Sequence, residues 1–313
     1  MIKVAINGFG RIGRALARLI FEEDRFKLTL VNDIYSTDMM KHLFKHDSIY
    51  KSTKYTLDNV LLTNNKNLHD LRLEGVDILF ECSGVYKSKN DLSKHLTNGA
   101  KKVILSAHSD EVKNFIFGVN ETEYKYDKIM AASSCTANCI VPVLKALESL
   151  FSIESLNATT IHSYTSDQNL LDNKSDDIRK CRASAVNIIP IDSNVKNTVA
   201  YFFPYLKGKI YSKSVRAPIE NGVLIDLHIK LSKHTTMQEI KNALLHIKNQ
   251  AIKVSFDDIV SKDIKADPHI SVVDMDLTQL SEGKLLRLIL WQDNEYAYAK
   301  RVLDFAKIVG KDL

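Results

Sequence analysis

The amino-acid sequence predicts an α/β protein of two domains, and three observations support this fold class. The chain has 313 residues, which is more than one compact domain usually carries. In the first third, short apolar runs alternate with helical spacing, a pattern typical of βαβ units and a parallel sheet. From about residue 153 onward, long β-type runs dominate, which indicates an α+β domain with a mostly antiparallel sheet.

The first domain is predicted from alternating strands and helices. Strands are expected at residues 3–6, 28–31, 76–80 and 102–105, and helices at residues 12–21, 37–45 and 89–98. Short apolar runs between turn residues are typical of strands buried in a parallel sheet, while apolar residues three and four apart indicate helices. Because parallel strands need crossover connections, this order predicts right-handed βαβ units.

The second domain is predicted from longer β-type runs. They lie at residues 155–164, 209–216, 223–231 and 285–291. Between them, Thr236 and Glu239 form a capping-box sequence ahead of an apolar helical series that starts at Ile240. A last helical period covers residues 303–309. Strands that follow one another with few helices indicate the α+β class.

The composition excludes several functional classes. With 45% hydrophobic and 26% charged residues, the chain is typical of a globular protein rather than a disordered one. No apolar run approaches the roughly 18 residues that a membrane span needs, and the N-terminus has no signal-peptide pattern. Four cysteines are too few for a disulfide scaffold, so we expect a cytoplasmic protein. The net charge of +5 forms no basic stripe, which argues against a nucleic-acid partner.

A glycine motif near the N-terminus indicates a dinucleotide site. Residues 7–14 read NGFGRIGR, which contains G-x-G-x-x-G directly after a predicted strand and at the start of a predicted helix. Gly8 permits a tight turn, Gly10 lets the backbone approach a pyrophosphate, and Gly13 allows close helix–strand packing. The helix N-terminus offers N–H groups to the phosphates. Asp33, twenty residues after Gly13, is placed to accept hydrogen bonds from ribose hydroxyls.

A cysteine ahead of a helical pattern is a candidate nucleophile. Cys135 precedes the apolar helical series at residues 140–150, and a helix N-terminus favours the thiolate form of a cysteine. Cys139 follows four residues later, and His162 follows a β-type run, where an imidazole can activate a thiol. From the residues alone, the alternative that Cys135 is a buried structural residue stays open. A metal site is not expected, because a fourth zinc ligand is missing.

Together with further motifs, these residues make the chain resemble the glyceraldehyde-3-phosphate dehydrogenase family over nearly its whole length. The resemblance rests on residues 7–14, 134–139, 162–165, 187–190 and 291–295. It implies a Rossmann cofactor domain at residues 1–134, joined by a C-terminal helix at residues 294–313, and a catalytic α+β domain at residues 135–293. It also implies a homotetramer, NAD as the cofactor, and a phosphorylated aldehyde and inorganic phosphate as substrates.

The resemblance also implies roles for individual residues. Cys135 resembles the nucleophile that attacks the aldehyde, and His162 resembles the base that takes its proton. Asn294 resembles the residue that holds the nicotinamide carboxamide. The implied cofactor residues are Gly8, Gly10, Arg11, Ile12, Asp33, Ser83, Ser106 and Asn294. The implied residues for the substrate phosphate and the attacking phosphate are Ser134, Thr136, Thr165, Arg179, Ser193, Asn194 and Arg216.

Departures from the family pattern leave alternatives open for the reaction. Asp192 adds a negative charge and Asn194 replaces a glycine, and we expect both to weaken a phosphate site. Residues 190–193 are similar to erythrose-4-phosphate dehydrogenase, which hydrolyses its thioester, so that activity is the first alternative. A dinucleotide- or RNA-binding protein in which catalysis is secondary is the second.

Two further departures concern the cofactor and the length of the chain. Asp33 favours NAD because its carboxylate repels a 2′-phosphate, whereas Lys174, in place of a usual proline, leaves NADP possible. The chain is short for the family, and the shortage maps to residues 51–74. We expect this trimming to change the edge of the cofactor domain and to spare the chemistry.

Overall fold

A computed structural model describes residues 1–247 and 250–313. Two compact units are present: unit 1 comprises Met1–Cys135 and Tyr298–Leu313, and unit 2 comprises Thr136–Ala297. Among the described residues, none of the helices has both the length and the apolar character that crossing a membrane requires.

Unit 1 is built on a parallel sheet. Its strands are β1 (Ile2–Asn7), β2 (Phe26–Asn32), β3 (Leu61–Thr63), β4 (Ile78–Glu81), β5 (Lys102–Leu105) and β6 (Ile129–Ala131). All neighbouring strands pair in parallel, and their order is β3-β2-β1-β4-β5-β6. This is the order of the doubly wound dinucleotide-binding fold, in which the direction of winding reverses between β1 and β4. The predicted Rossmann architecture is therefore confirmed.

Local sequence explains the helices of unit 1. They are α1 (Arg11–Phe21), α2 (Thr37–Lys45) and α3 (Lys89–Thr97). Two of them start at a serine cap, since the hydroxyl of Ser36 accepts the Met39 N–H at 3.3 Å and that of Ser88 accepts the Asp91 N–H at 3.1 Å. Helix α1 has no such cap, because its N-cap position is Gly10.

Unit 2 contains a mixed sheet. Its strands are β7 (Ile153–Ser163), β8 (Ile189–Asp192), β9 (Ile210–Ala217), β10 (Val223–Leu231), β11 (Ile252–Ser255), β12 (Ser271–Ser281) and β13 (Leu285–Gln292). The order is β11-β12-β13-β10-β7-β9-β8, in which β7–β9 and β11–β12 are parallel and the other pairs are antiparallel. The remaining helices are α4 (Cys135–Phe151), α5 (Val195–Phe202), α6 (Met237–Leu245) and α7 (Tyr296–Val309). A second domain with a mostly antiparallel sheet is thus confirmed.

The start of the last helix differs from the prediction. Helix α7 begins at Tyr296, between the expected domain junction at residue 294 and the apolar period at residue 303. The carboxylate of Asp293 sets this start, because its Oδ1 accepts the backbone N–H groups of Glu295 and Tyr296, each at 2.9 Å. An aspartate that caps the first N–H groups fixes where a helix begins.

The stretch between residues 51 and 74, which was predicted to be shorter than in the family, contains β3 at the edge of the parallel sheet. It also contacts the end of β2. The Thr63 carbonyl accepts the Asp33 N–H at 3.2 Å, and the side-chain oxygen of Asn32 accepts the Asn65 N–H at 2.9 Å. This segment therefore lies at the sheet edge and also holds the backbone of Asp33, a predicted cofactor residue. That the segment is shortened relative to the family stays a prediction.

Candidate functional site

The predicted cofactor residues of unit 1 lie at one edge of its sheet. Each follows the carboxyl end of a parallel strand. In strand order they are Asp33 after β2, Gly8 after β1, Ser83 after β4 and Ser106 after β5. Ser134, which was predicted for phosphate binding, follows β6 at the same edge. In open α/β sheets, ligands bind outside the carboxyl ends of the strands and at the point where the winding reverses. The structure therefore brings these residues to the edge where a dinucleotide is expected.

Close backbone packing explains two of the glycines in the N-terminal motif. Gly8 has a φ of +94°, and a Cβ there would lie 2.3 Å from the backbone nitrogen of Ser83. A Cβ at Gly13 would lie 2.2 Å from the carbonyl oxygen of Gly8. Gly10 differs, since a Cβ there would meet no described atom within 4 Å. The packed glycines form the turn, and Gly10 leaves open space beside it.

The start of helix α1 has the character of an anion site. Within the described residues, no side chain caps its first turn, and that turn contains no acidic residue. The Arg11 side chain is directed elsewhere, because its Nη1 donates to the Asp47 carboxylate at 2.7 Å and its guanidinium lies 5.5 Å from the centre of the Tyr50 ring. Arg11 and Ile12 therefore present their backbone N–H groups at the helix start, and such groups suit a pyrophosphate.

The Asp33 carboxylate is hydrogen-bonded to the glycine-rich turn. One carboxylate oxygen accepts the Phe9 N–H, and the other accepts the Ile34 N–H at 2.6 Å. Its negative charge at the end of β2 suits hydrogen bonds from ribose hydroxyls and opposes a 2′-phosphate. Together with the uncapped helix start and the space at Gly10, Asp33 makes the edge fit a dinucleotide of the NAD type.

A buried polar network lies beneath this edge, and the sequence did not predict it. The Glu81 carboxylate accepts the Asn7 amide at 2.6 Å and the Ser83 N–H at 2.8 Å, and it pairs with His95 Nε2 at 2.8 Å. The Asn7 oxygen in turn accepts the Asn32 amide at 2.7 Å. The side chains of Asn7, Asn32, Glu81 and His95 are all buried. Because the network joins the ends of β1, β2 and β4, it fixes the loops that carry the cofactor residues.

The candidate nucleophile stands at a helix start. Cys135 is the first residue of α4, and it is half-buried. A thiol at this position lies beside the first N–H groups and the positive end of the helix dipole, which favour its thiolate. Its neighbours Ser134 and Thr136 flank it in the same turn. In the described part of the chain, no cluster of three metal-ligating side chains was found.

In unit 2, His162 is held as a neutral base. Its Nδ1 donates to the Ser163 carbonyl at 2.7 Å, which leaves Nε2 with the lone pair. Burial and the positive charge of Arg216 lower the pKa of His162 to about 4, although the Ser163 carbonyl and Asp167 oppose them. At neutral pH the ring is therefore uncharged and can accept a proton at Nε2.

Arg216 and Thr165 lie next to His162. Arg216 on β9 is the register partner of His162 on β7, and its Nη1 donates to the Ser163 carbonyl at 3.3 Å. The Thr165 hydroxyl donates to Asp167, which also pairs with Lys180 at 2.6 Å. Burial opposes ionisation of Asp167, but Lys180 and Thr165 hold its pKa below the usual value. The sequence missed Asp167 and Lys180.

The orientation of Asn294 is fixed by the backbone. Its Oδ1 accepts the Gly222 N–H at 3.0 Å, and the Ser163 hydroxyl lies 3.5 Å from the same oxygen. Because a backbone N–H can only donate, the acceptor must be the amide oxygen. Asn294 therefore presents its NH2 group, which is the donor that a carboxamide oxygen needs.

The segment predicted to weaken phosphate binding is arranged differently from the expectation. Asp192 is exposed and pairs with Lys213 on β9. Asn194 has a φ of −81°, which any residue adopts, and it forms the N-cap position of α5. The charge of Asp192 is therefore paired with Lys213 at the surface, and the backbone at 194 does not need a glycine. That these two residues weaken a phosphate site stays a prediction.

Two groups of residues that were predicted to bind phosphate are separated along the sheet. Ser193 lies level with Ser212, whose hydroxyl donates to the Ser193 carbonyl at 3.2 Å. Ser212 is four residues from Arg216 on β9, a distance of roughly 13 Å along a strand. Arg179 is near the Arg216 end, because its Nη1 donates to the Pro190 carbonyl at 3.2 Å. The structure thus groups Arg179 with Arg216 and Ser193 with Asn194, as two anion sites would require.

Comparisons with known proteins agree on one family. The model of the glyceraldehyde 3-phosphate dehydrogenase NAD binding domain matches residues 2–89, and the model of the C-terminal domain matches residues 134–294. The chain is 36% identical over 334 aligned positions to glyceraldehyde-3-phosphate dehydrogenase 2 of Nostoc sp., with 99% of each chain covered. It is 35% identical to the Priestia megaterium glyceraldehyde-3-phosphate dehydrogenase, covering 99% of this chain and 98% of the relative. Identity to the Zymomonas mobilis enzyme is 36%, covering 100% and 99%.

Proposed function

The chain belongs to the glyceraldehyde-3-phosphate dehydrogenase family, and we propose that it oxidises glyceraldehyde 3-phosphate to 1,3-bisphosphoglycerate with NAD and inorganic phosphate. The observation that carries the proposal is His162, a buried ring that is neutral at pH 7 and has its Nε2 lone pair available. We assign dinucleotide binding to residues 1–134 with the final helix at 294–313, and substrate chemistry to residues 135–293. The ranges matched by the two family models support this division.

The first step joins the substrate to Cys135. His162 Nε2 takes the thiol proton, the sulfur forms a bond to the aldehyde carbon, and the carbonyl electron pair moves to the oxygen. That oxygen takes the proton from the imidazolium, which returns His162 to its neutral form. The buried site next to Arg216 favours the neutral ring, so the proton passes on readily to the substrate.

The second step yields a thioester. NAD, when bound, supplies the acceptor for the hydride that leaves the substrate carbon. His162 takes the hydroxyl proton as the carbonyl re-forms, and the acyl group then remains on the Cys135 sulfur. The Asn294 NH2 group, fixed by the Gly222 N–H, would hold the nicotinamide carboxamide. Gly8, Gly10 and the backbone of residues 11–12 would hold the pyrophosphate.

The last step transfers the acyl group to phosphate. Arg216, Arg179 and the Thr165 hydroxyl would bind the substrate phosphate, since a guanidinium can bind phosphate with two hydrogen bonds. The residues proposed for the attacking phosphate are Ser134, Thr136, Ser193 and Asn194. A phosphate oxygen attacks the thioester carbon, the carbon–sulfur bond breaks, and Cys135 leaves as the thiolate. The sulfur then takes back the proton that His162 gained in the second step, which restores the thiol and the neutral ring.

The test is a paired assay of the purified chain. With NAD and glyceraldehyde 3-phosphate, NADH should form in repeated turnovers only when phosphate or arsenate is present. Cys135→Ser should abolish turnover, and His162→Asn should lower kcat by roughly 100-fold or more. Cys181→Ser, which changes a cysteine outside the proposed site, is the matched control and should retain activity. Phosphate-independent turnover at a similar rate would contradict the proposal.

The alternatives are addressed by the same assay. Hydrolytic oxidation of erythrose 4-phosphate is not favoured, because the family models and the relatives carry the name of the glyceraldehyde enzyme and Asp192 is paired at the surface. Running the assay with NADP tests whether Lys174 weakens the preference for NAD over NADP that the Asp33 carboxylate favours. A role in which catalysis is secondary predicts that Cys135→Ser leaves the biological role intact.

The assembly and location are further parts of the proposal. Between β7 and β8, five large apolar side chains are 65–86% exposed: Leu170, Leu171, Ile178, Val186 and Ile188. Apolar side chains exposed this close together mark a protein–protein surface, so they support a homotetramer. In the described residues no disulfide joins any of the four cysteines, which supports a reducing cytoplasm.

A further inference from the structure

The turn that leads to Cys135 contains a strained backbone residue. Strand β6 ends at Ala131 and α4 begins at Cys135, so three residues connect the sheet to the helix. Ser133, in the middle, has a φ of +58°, in the left-handed region that residues with a Cβ rarely occupy. It is completely buried, and its hydroxyl has no hydrogen-bond partner among the described residues. Such a conformation persists only when its surroundings hold it.

The side chain of Tyr298 makes a hydrogen bond to this turn. The Tyr298 hydroxyl donates to the Ser133 carbonyl at 2.8 Å, and Tyr298 is itself only 2% exposed in the first turn of α7. Burial, with the nearby thiols of Cys135 and Cys82, raises the pKa of Tyr298 far above its usual value. The phenol is therefore protonated at neutral pH and can donate this hydrogen bond. Its partner is the carbonyl of the strained residue, two positions before the nucleophile.

We propose that Tyr298 is a positioning residue, whose hydrogen bond to the Ser133 carbonyl keeps the left-handed turn and thereby places Cys135 at the first position of α4. The inference rests on the proposed role of Cys135 as the nucleophile. A strained turn from strand to helix is an established way to present a nucleophile. Here the strain would relax without the phenol, and the sulfur would move away from the helix N–H groups that favour its thiolate.

The first measurement is the rate at which iodoacetamide alkylates Cys135 as a function of pH, followed by mass spectrometry of the labelled peptides. In Tyr298→Phe, which removes only the hydroxyl, we expect the rate at neutral pH to fall about tenfold, as for a loss of about 1.4 kcal/mol. The midpoint of the pH profile should rise by about one pH unit, since the thiolate loses that stabilisation. Alkylation of Cys181 in the same samples is the internal control and should not change.

Rescue by a second substitution separates positioning from general stability. Glycine adopts a positive φ without strain, so Ser133→Gly should restore fast alkylation in the Tyr298→Phe background. Ser133→Ala is the matched control, because it also removes the unpartnered hydroxyl but keeps a Cβ; it should give no rescue. If the single Tyr298→Phe variant does not fold, the double variant that also carries Ser133→Gly still decides the question, since a glycine needs no phenol to hold the turn.

The outcomes are distinct for the inference and for the proposed function. Unchanged Cys135 alkylation in Tyr298→Phe, or slow alkylation that Ser133→Gly does not restore, would overturn the inference. Turnover that survives Cys135→Ser would instead refute the proposed function. If Cys135→Ser abolishes turnover while Tyr298→Phe alkylates normally, the proposed function stands and Tyr298 has no positioning role.

Discussion

Acid should destabilise the chain through His162, and the size of the effect follows from its surroundings. Burial and Arg216 lower the pKa of His162 to about 4, whereas an unfolded histidine has a pKa of 6.5. The unfolded state therefore binds the proton first as the pH falls. The stability that the neutral ring provides is present above pH 6.5 and is lost between 6.5 and about 4. By about pH 4.5 this linkage removes about 2.5 kcal/mol from the free energy of unfolding.

The assay compares urea unfolding at about pH 7.5 and about pH 4.5 at one protein concentration. His162→Gln cannot gain a proton, so the acid-induced loss in the wild type should exceed that in the variant by about 2.5 kcal/mol. His234→Gln, which changes an exposed histidine, should lose as much as the wild type. Equal losses in the wild type and His162→Gln would refute the reasoning, because His162 would then not be held neutral by its burial.

Three further predictions concern the cofactor edge and the phosphate segment. Gly8→Ala should weaken NAD binding at least about 100-fold by calorimetry because its Cβ would overlap backbone atoms; Gly75→Ala, which also has a positive φ but has open space, should retain binding. Asp192→Ala should change KM for phosphate less than about twofold, since the exposed pair with Lys213 is weak. A larger fall in KM would show that the negative charge of Asp192 weakens phosphate binding. Glu81→Gln should lower the free energy of unfolding by about 2 kcal/mol in urea titrations, because the amide NH2 cannot accept the hydrogen bonds that the buried carboxylate accepts from Asn7, Ser83 and His95; an unchanged midpoint would contradict this.

Periodicity predicted the parts of the fold whose signal is local. The strands at the centre of the first sheet and four long strands of the second were predicted, because each contains a continuous apolar or alternating run. The helix from Met237 was predicted from its capping box, and the structure has both hydrogen bonds between Thr236 and Glu239. These features depend on neighbours within about four residues, and the sequence displays such neighbours directly.

Elements that depend on distant partners were missed. Strands β3 and β6 have three residues each, and β8 and β11 have four. All four lie at the edge of their sheet, whereas the equally short β4 and β5 lie inside theirs and are completely buried. An edge strand is less buried and lacks the continuous apolar run by which β4 and β5 were recognised. Strand β12 was also missed, and its pairing with β13 is interrupted between Asp274 and Gln279. Helix α5 was missed for another reason: its N-cap residue, Asn194, makes no side-chain capping bond in the described structure.

The candidate site also contains residues that local motifs identify and residues that depend on distant partners. The motifs identified Cys135 and His162, because nucleophile and base occur at recognisable positions in the chain. They did not identify Glu81, whose partners Asn7 and His95 come from a different strand and a helix. A buried carboxylate is detected from sequence only when its partners are local. The same holds for Tyr298, since its partner Ser133 is 165 residues away.

The expectation about Asp192 depended on a feature of the structure that was not predicted, strand β8. The expectation treated Asp192 as a charge close to phosphate because Ser193 and Asn194 follow it directly. Strand β8 alternates between buried and exposed positions, with Ile189 and Ile191 buried and Asp192 exposed. Successive side chains of a strand point to opposite faces, so a neighbour in sequence need not be a neighbour at the site. If residues 189–192 had been recognised as a strand, the alternation of Ile189 and Ile191 with polar or small positions would have predicted that the Asp192 side chain is exposed.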